Sequence, residues 1–463
     1  MNASRGRCFV LVCLLVVLTG LGLQPVTPVT AAALSIQETP SAPTPIQELQ
    51  PGTPIERSLK SEESHVYAIH LKAGQFLELS VAEKRVDLLA EFFAPDGKRL
   101  VYSDVRAGAG KEIIRLLIDA DGVYRLELTA KKLLQPGDYL IEMDVRQPTE
   151  TDRILIEAST YLDEAQKLYD PRKTDNLNQV VAKYGEALKK YKAINQVLDQ
   201  GNTYIEIGKT WLFAGEIQKS QEAFQEALKL YSSINDEPNL ATVYELMGQA
   251  VLSNNEDQKG LDLYLQALGL YEKLGNQRLI ATAYMAIGIA YNRFGEKQKA
   301  LEVYCKAIPV LRALEHEAGL AATLNNTGRV YDDLGEKQKA LEYYFEALPI
   351  QKTLNNKRPI GISHNNIGKV YCDLGDFQKA IEHLEIAVDV LTVEKDRNFL
   401  LQALLNLGKA YLGINNLAKA QKSFEGALAL AQEVKNKVQE GRVTLELGKL
   451  QIRNGNSGKG NSG

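Results

Sequence analysis

The chain repeats itself. "GEKQKALEVYCKA" runs from Gly295 to Ala307, and "GEKQKALEYYFEA" runs from Gly335 to Ala347, 40 residues further on. A copy this close means that one supersecondary unit is used many times, and few folds accept that. Set out at a spacing of 40, the sequence places a glycine at Gly208, Gly248, Gly288, Gly328, Gly368, Gly408 and Gly448. Three residues later stand Trp211, Val251, Tyr291, Tyr331, Tyr371 and Tyr411, and a turn residue follows at Gly215, Asn255, Gly295, Gly335, Gly375 and Asn415. Next come small residues at Ser220, Gly260, Ala300, Ala340, Ala380 and Ala420. Phe224, Tyr264, Tyr304, Tyr344, Leu384 and Phe424 come after them, and alanines at 227, 267, 307, 347, 387 and 427 close the unit. The apolar spacing of three and four predicts two helices per unit. Gly288 and Ala300 let the two helices approach closely, and Ala307 does the same toward the next unit. Tyr291 and Tyr304 fill the space between. One helix pair cannot cover its own apolar face, so the units must stack into a solenoid.

This order of small, aromatic and alanine positions resembles the tetratricopeptide repeat. Six units share the frame, and a degenerate earlier one covers about Ile154 to Ile194, where "YGEALKKY" (Tyr184 to Tyr191) matches the second helix alone. The spacing exceeds the usual ~34 residues and is similar to the long repeats of kinesin light chains. The resemblance implies a mainly α fold: a right-handed superhelix of about seven helix pairs and one closing helix over residues 150–452, with 453–463 as a flexible tail.

Upstream the period is two. "SHVYAIHL" (Ser64 to Leu71), "QFLELSVA" (Gln75 to Ala82), "DLLAEFFA" (Asp87 to Ala94), "EIIRLLID" (Glu112 to Asp119), "VYRLELTA" (Val123 to Ala130) and "YLIEMDV" (Tyr139 to Val145) predict strands. Turn signals this close together predict a small β-sandwich over residues 55–148. "APDGK", "DADGVYRLEL" and "PGDYLIEM" resemble the bacterial pre-peptidase C-terminal type of domain. Sandwich and array are expected to share only the junction "RQPTETDR" (Arg146 to Arg153), so the repeats from Glu150 onward should fold alone.

At the start, Arg5 and Arg7 precede the apolar run "CFVLVCLLVVLTGLGL" (Cys8 to Leu23), and "TAAA" ends at Ala33. This predicts a cleaved export signal over 1–33, with an uncleaved anchor as the alternative. The proline-rich stretch 34–54 predicts an extended linker. An export signal, a sandwich and long repeats in this order resemble the front of bacterial CHAT-domain proteins, in which a caspase-like region follows the repeats. Here "LGKLQIRNGNSGKGNSG" shows no α/β pattern, so protease activity is not carried over.

The remaining residues argue against chemistry. A net charge of -4 gives no basic field for nucleic acid. Cys305 and Cys372 form neither a disulfide framework nor a ligand cluster. The histidines at 65, 70, 316, 364 and 383 contain no HExxH. "RAGAGKE" (Arg106 to Glu112) fails as a phosphate loop, because Val105 and Glu112 stand where Gly and Ser or Thr are needed. His364 and Cys372 lie ~12 Å apart along one helix, too far for proton transfer. No catalytic site, metal, cofactor or small-molecule substrate is expected.

The resemblance points instead to the first helices, which in tetratricopeptide arrays line the concave face and hold peptides on either side of the first glycine. Those positions here hold Asn325, Asn326 and Arg329, then Asn365, Asn366 and Lys369, then Asn406 and Lys409. Asparagine amides can bond a partner's backbone, and the cations can hold a carboxylate. Leu246, Met285 and Ile289 make the groove apolar toward its N-terminal half. The expected function is an exported scaffold for a protein or peptide partner. The alternatives are the non-catalytic regulatory front of a CHAT-type protease system, and surface or carbohydrate binding by the sandwich with the repeats as a spacer.

Overall fold

The computed structural model describes residues 46–84, 88–104, 111–130, 136–170, 176–254 and 256–459. The expected export signal, most of the linker and the glycine turn from Arg106 to Gly110 lie outside these residues.

Nine short strands come first among the described residues. β1 (Gln47–Glu48), β3 (Ser64–Leu71), β8 (Gly122–Ala130), β5 (Leu88–Phe93) and β6 (Arg99–Asp104) form one sheet in that spatial order. β2 (Ile55–Leu59), β9 (Gly137–Arg146), β4 (Phe76–Lys84) and β7 (Lys111–Leu117) form the other. Every pairing is antiparallel except β1 with β3. Alternation decides which side chains go in. Tyr67, Ile69, Phe92 and Leu126 from one sheet meet Leu77, Leu79, Val81 and Ile141 from the other in a shared core. All six expected strands are present. β2 and β6 carry weaker alternation, and β1 falls inside the stretch expected to be linker, where two residues between prolines add to a sheet edge.

The core also holds a polar chain. His65 Nδ1 and the Tyr67 hydroxyl both lie 2.5 Å from the Tyr139 hydroxyl. Burial, then Arg57, push the His65 ring below its ordinary value, with Glu63 opposing.

Fifteen helices follow among the described residues. The pairs are α1 (Glu150–Leu168) with α2 (Leu177–Ala193), α3 (Val197–Phe213) with α4 (Ile217–Ser233), α5 (Glu237–Ser253) with α6 (Asp257–Leu274), and α7 (Gln277–Arg293) with α8 (Lys297–Ala313). Then come α9 (Glu317–Asp333) with α10 (Lys337–Thr353), α11 (Lys357–Leu374) with α12 (Phe377–Val393), and α13 (Arg397–Gly413) with α14 (Leu417–Glu433). The last helix, α15 (Lys437–Lys459), has no partner helix among the described residues and runs past the boundary expected at 452.

The glycine column explains how closely each pair packs. A Cβ at Gly288 would sit 2.3 Å from the ring of Tyr304, and the same clash arises between Gly208 and Phe224 and between Gly408 and Phe424. The glycine is therefore the seat of the second helix's aromatic ring. Turns between helices take a left-handed residue, as at Gly335 with φ 81°, where an L side chain costs ~1–2 kcal/mol.

One expectation is overturned. Sandwich and array share far more than the chain connection. The outer side of the four-stranded sheet lies against the first helices. Phe76 is fully buried there with Leu155, Ala158, Ala187 and Tyr191. Arg115 on β7, opposite Glu78 on β4, bonds Glu78 at 2.8 Å and Asp199 on α3 at 2.9 Å. Arg146 reaches Asp152, which also closes a capping box with Thr149 at the start of α1. The sandwich thus covers the apolar end face that the first repeat would otherwise expose.

Candidate functional site

First helices lie nearer to one another than second helices do, with direct α3–α5, α7–α9, α9–α11, α11–α13 and α13–α15 contacts. They therefore line the inner face. On α9, Asn326 and Arg329 flank the buried Thr327 and Gly328, and on α13 Asn406 and Lys409 flank the buried Leu407 and Gly408.

The asparagines expected to meet a partner mostly meet one another. Asn325 Oδ1 accepts from Asn366 Nδ2 at 3.4 Å and from the Ser363 hydroxyl at 3.2 Å. Asn365 is buried, and its Oδ1 accepts from Asn406 Nδ2 at 3.0 Å. These amides stitch α9 to α11 and α11 to α13. Packing brings successive inner rows within hydrogen-bond reach, and a buried amide must find a partner. Lys369 is drawn back as well, onto the buried Asp332 carboxylate, which also takes Lys337 at 2.5 Å.

Asn326, Arg329 and Lys409 are left facing the groove; Arg329 and Lys409 are exposed and Asn326 is half-buried. Asn326 borders a small pocket of about 250 Å³ between α9 and α11. Leu246, Met285 and Ile289 are all half-buried, and Leu246 packs into the cluster around Phe224 and Met247. The N-terminal half of the groove is therefore apolar but already partly filled.

The C-terminal half opens into a pocket of about 440 Å³ bordered by Lys369, Gln402, Asn406, Lys409, Arg442 and Glu446. It spans α11, α13 and α15. Glu446 is bonded to Lys449 at 2.9 Å. Lys409 and Arg442 have no ion pair among the described residues. Two uncommitted cations therefore stand over the pocket, with the Gln402 and Asn406 amides beneath them. Sequence reading named Lys369, Asn406 and Lys409 but missed Gln402, Arg442 and Glu446. Extending the frame of 40 from Gln402 would have found Arg442.

His364 turns to His383, with the two Nδ1 atoms 3.0 Å apart. Burial pushes the Cys372 thiol up to about 12, which leaves it unreactive, and Cys305 and Cys372 are both free thiols. Among the described residues no group of three or more His, Cys, Asp or Glu is placed to hold a metal ion. No described helix is long and apolar enough to cross a membrane.

Comparison with known proteins agrees with the repeat fold. Family models of the tetratricopeptide repeat match residues 281–308, 320–359 and 360–457. No curated protein sequence matches the chain. Among solved structures, the apo form of RapI superposes with a TM-score of 0.50 at 16% identity, over 60% of this chain and 99% of that one. BtubC (BKLC) from P. vanneervenii gives 0.41 at 22% identity, over 48% and 91%. The nearly identical kinesin-light-chain TPR-like repeats from Podosopora anserina give 0.37 at 17% identity, over 42% and 96%. At such identities the likeness to RapI is one of fold. The helical part of this chain is a tetratricopeptide-repeat solenoid.

Proposed function

We propose that the chain is an exported interaction scaffold that holds an acidic segment, or a free C-terminus, of another protein in the groove across α11, α13 and α15. The observation that carries this is the pair Lys409 and Arg442, unpaired on consecutive first helices over the 440 Å³ pocket. A carboxylate there gains charge-assisted hydrogen bonds, each worth roughly 1.5–3 kcal/mol. The Gln402 and Asn406 amides can take backbone groups of any sequence. The Asn365–Asn406 bond behind them ties α11 to α13, so two of the three helices that border the pocket are joined before a ligand arrives.

The test uses a fluorescent decapeptide ending in Asp-Glu with a free carboxylate, and its C-terminally amidated twin. Lys409→Ala with Arg442→Ala should weaken the free-acid peptide at least tenfold. Gln218→Ala with Lys219→Ala, in the first turn of α4, should not. Binding should fall with added salt, because the Debye length is only ~8 Å at physiological ionic strength. Unchanged binding by the Lys409 and Arg442 double variant would remove this pocket as the site. Export rests on the apolar run Cys8 to Leu23. N-terminal sequencing of the protein from outside the cytoplasm should start near Ala31 to Ala33, whereas a full-length chain in the membrane fraction would favour an anchor.

A further inference from the structure

A second pocket shares no residue with the one bordered by Lys409 and Arg442. It measures about 560 Å³ and is bordered by α10, the last turn of α11 and the first turn of α12. α10 and α12 are second helices, so it lies on the outer side of the array. Its walls are apolar. Leu341 is buried, Phe345 is 43% exposed and Leu374 50%. Phe345 stands out in the frame of 40. The equivalent positions hold Gln225, Leu265, Cys305, Glu385 and Glu425, so no other unit places a ring there. His383 braces the wall, edge-on to Phe345 at 5.9 Å and stacked on Tyr371 at 5.8 Å between centroids.

The charges at the rim do not cancel. Asp376 and Lys379 pair at 2.8 Å. Glu342 is exposed and makes no ion pair among the described residues. Lys339, three residues before it, is bonded to Glu336 and stands over Tyr331 at 5.2 Å. Glu382, one turn beyond Lys379, is exposed and makes no ion pair either. The rim is therefore net negative beside an exposed ring. Other rings of the array already hold a cation of this chain. Lys219 stands over Trp211 at 4.5 Å, Lys379 over Tyr371 at 5.4 Å and Lys419 over Tyr411 at 5.0 Å. Among the described residues no cation stands over Phe345.

We propose that this pocket binds an arginine side chain of a partner protein. Leu341, Glu342 and Phe345 share one face of α10 at spacings of three and four. The arginine stem packs along Leu341 and Leu374. The flat guanidinium lies on the Phe345 ring, within ~6 Å of its centroid, and its edge donates two N–H groups to the Glu342 carboxylate. A lysine ammonium neither stacks nor meets a carboxylate as a fork. A purely apolar side chain leaves Glu342 unanswered. The proposal does not rest on the inner groove, whose cations select the opposite charge.

The test follows leucine methyl signals of the full chain by NMR as N-acetyl-arginine methylamide is added, beside its neutral citrulline analogue and its lysine analogue. The Leu374 signals should shift and saturate with the arginine compound. The citrulline and lysine compounds should need at least fivefold higher concentrations. Glu342→Gln should raise the arginine midpoint at least fivefold. Phe345→Gln, which copies Gln225 of an earlier unit, should abolish the shift. Lys409→Ala with Arg442→Ala should leave it unchanged. The proposal is overturned if Leu374 does not move, if the citrulline or lysine compound moves it equally, if Glu342→Gln binds undiminished, or if the Lys409 and Arg442 double variant loses the shift.

Discussion

At the scale of single residues, burial and pairing part company in informative places. The Tyr304 hydroxyl is buried with no hydrogen-bond partner among the described residues, whereas the equivalent-face Tyr271 donates to Glu245 at 2.6 Å. An unpaired buried hydroxyl carries its desolvation cost without compensation. Tyr304→Phe should therefore be neutral or stabilise by up to ~1 kcal/mol in urea melts, while Tyr271→Phe removes a part-buried bond to Glu245 and should destabilise. The His364–His383 contact makes a second prediction. Burial, then His383 and then Lys352 on α10, push His364 down to about 4. His383 is lowered too, chiefly by burial, with Glu382 opposing, and the aromatic rings of Phe345 and Tyr371 pack on it. The folded state thus binds fewer protons than the unfolded one between pH 6.5 and about 4. Stability is full above 6.5 and falls as pH drops through that window. The loss from His364 approaches roughly 3 kcal/mol at 1.36 kcal/mol per unit. Urea midpoints at pH 7.5 and 4.5 should differ less in His364→Gln than in the parent.

Between elements, neighbouring first helices are joined by polar rungs as well as by apolar packing. Asn325–Asn366, Asn365–Asn406 and Lys369–Asp332 each cross from one first helix to the next. Lys337–Asp373 at 2.6 Å and Lys297–Asp333 at 2.9 Å repeat the idea at the turns. Asp332 is the busiest rung, since it is buried and takes two lysines. Asp332→Asn should cost about 1–3 kcal/mol by weakening hydrogen bonds to a charged group. It should also release Lys369 into the pocket that it borders, so binding of the free-acid decapeptide should tighten. Weaker binding in the variant would mean that Asp332 shapes the groove rather than holding its lysine back.

For the whole molecule, the sandwich acts as the N-terminal cap of the solenoid. Arg115 is 8% exposed in its side chain and bridges two carboxylates across 84 residues of sequence to reach Asp199. Burial already holds the Asp199 carboxyl above its ordinary value despite Arg115. Removing one partner of a buried pair costs ~3–5 kcal/mol, so Arg115→Ala should lower the thermal midpoint of the entire chain. A fragment from Glu150 onward should still show helical circular dichroism, since each repeat needs only its neighbours. Its first helix pair should lose amide-exchange protection, because Leu155 and Ala158 lose Phe76. A fragment whose α1 and α2 are protected as in the full chain would show that the cap is dispensable.

The period of 40 is enough to give the solenoid, because stacking identical units demands the same small and aromatic residues at every step. Gly288 and Tyr304 were legible for that reason, and so was the alternation that put Tyr67 and Ile69 inside a sandwich. Periodicity gives the face on which a residue lies. It does not say what stands opposite. Asn365 and Lys369 lie on the predicted inner row, yet the next helix comes close enough to occupy the amide, and Asp332 from the previous one claims the lysine. Arg442 joins Lys409 only because α15 stacks beside α13. Arg115 reads as an ordinary strand residue until the sheet meets α3. The repeating unit and its stacking follow from local spacing and are therefore written in the chain itself. Which polar groups are consumed and which remain open depends on distances between residues far apart in the chain, and so is fixed by the packing of the helices.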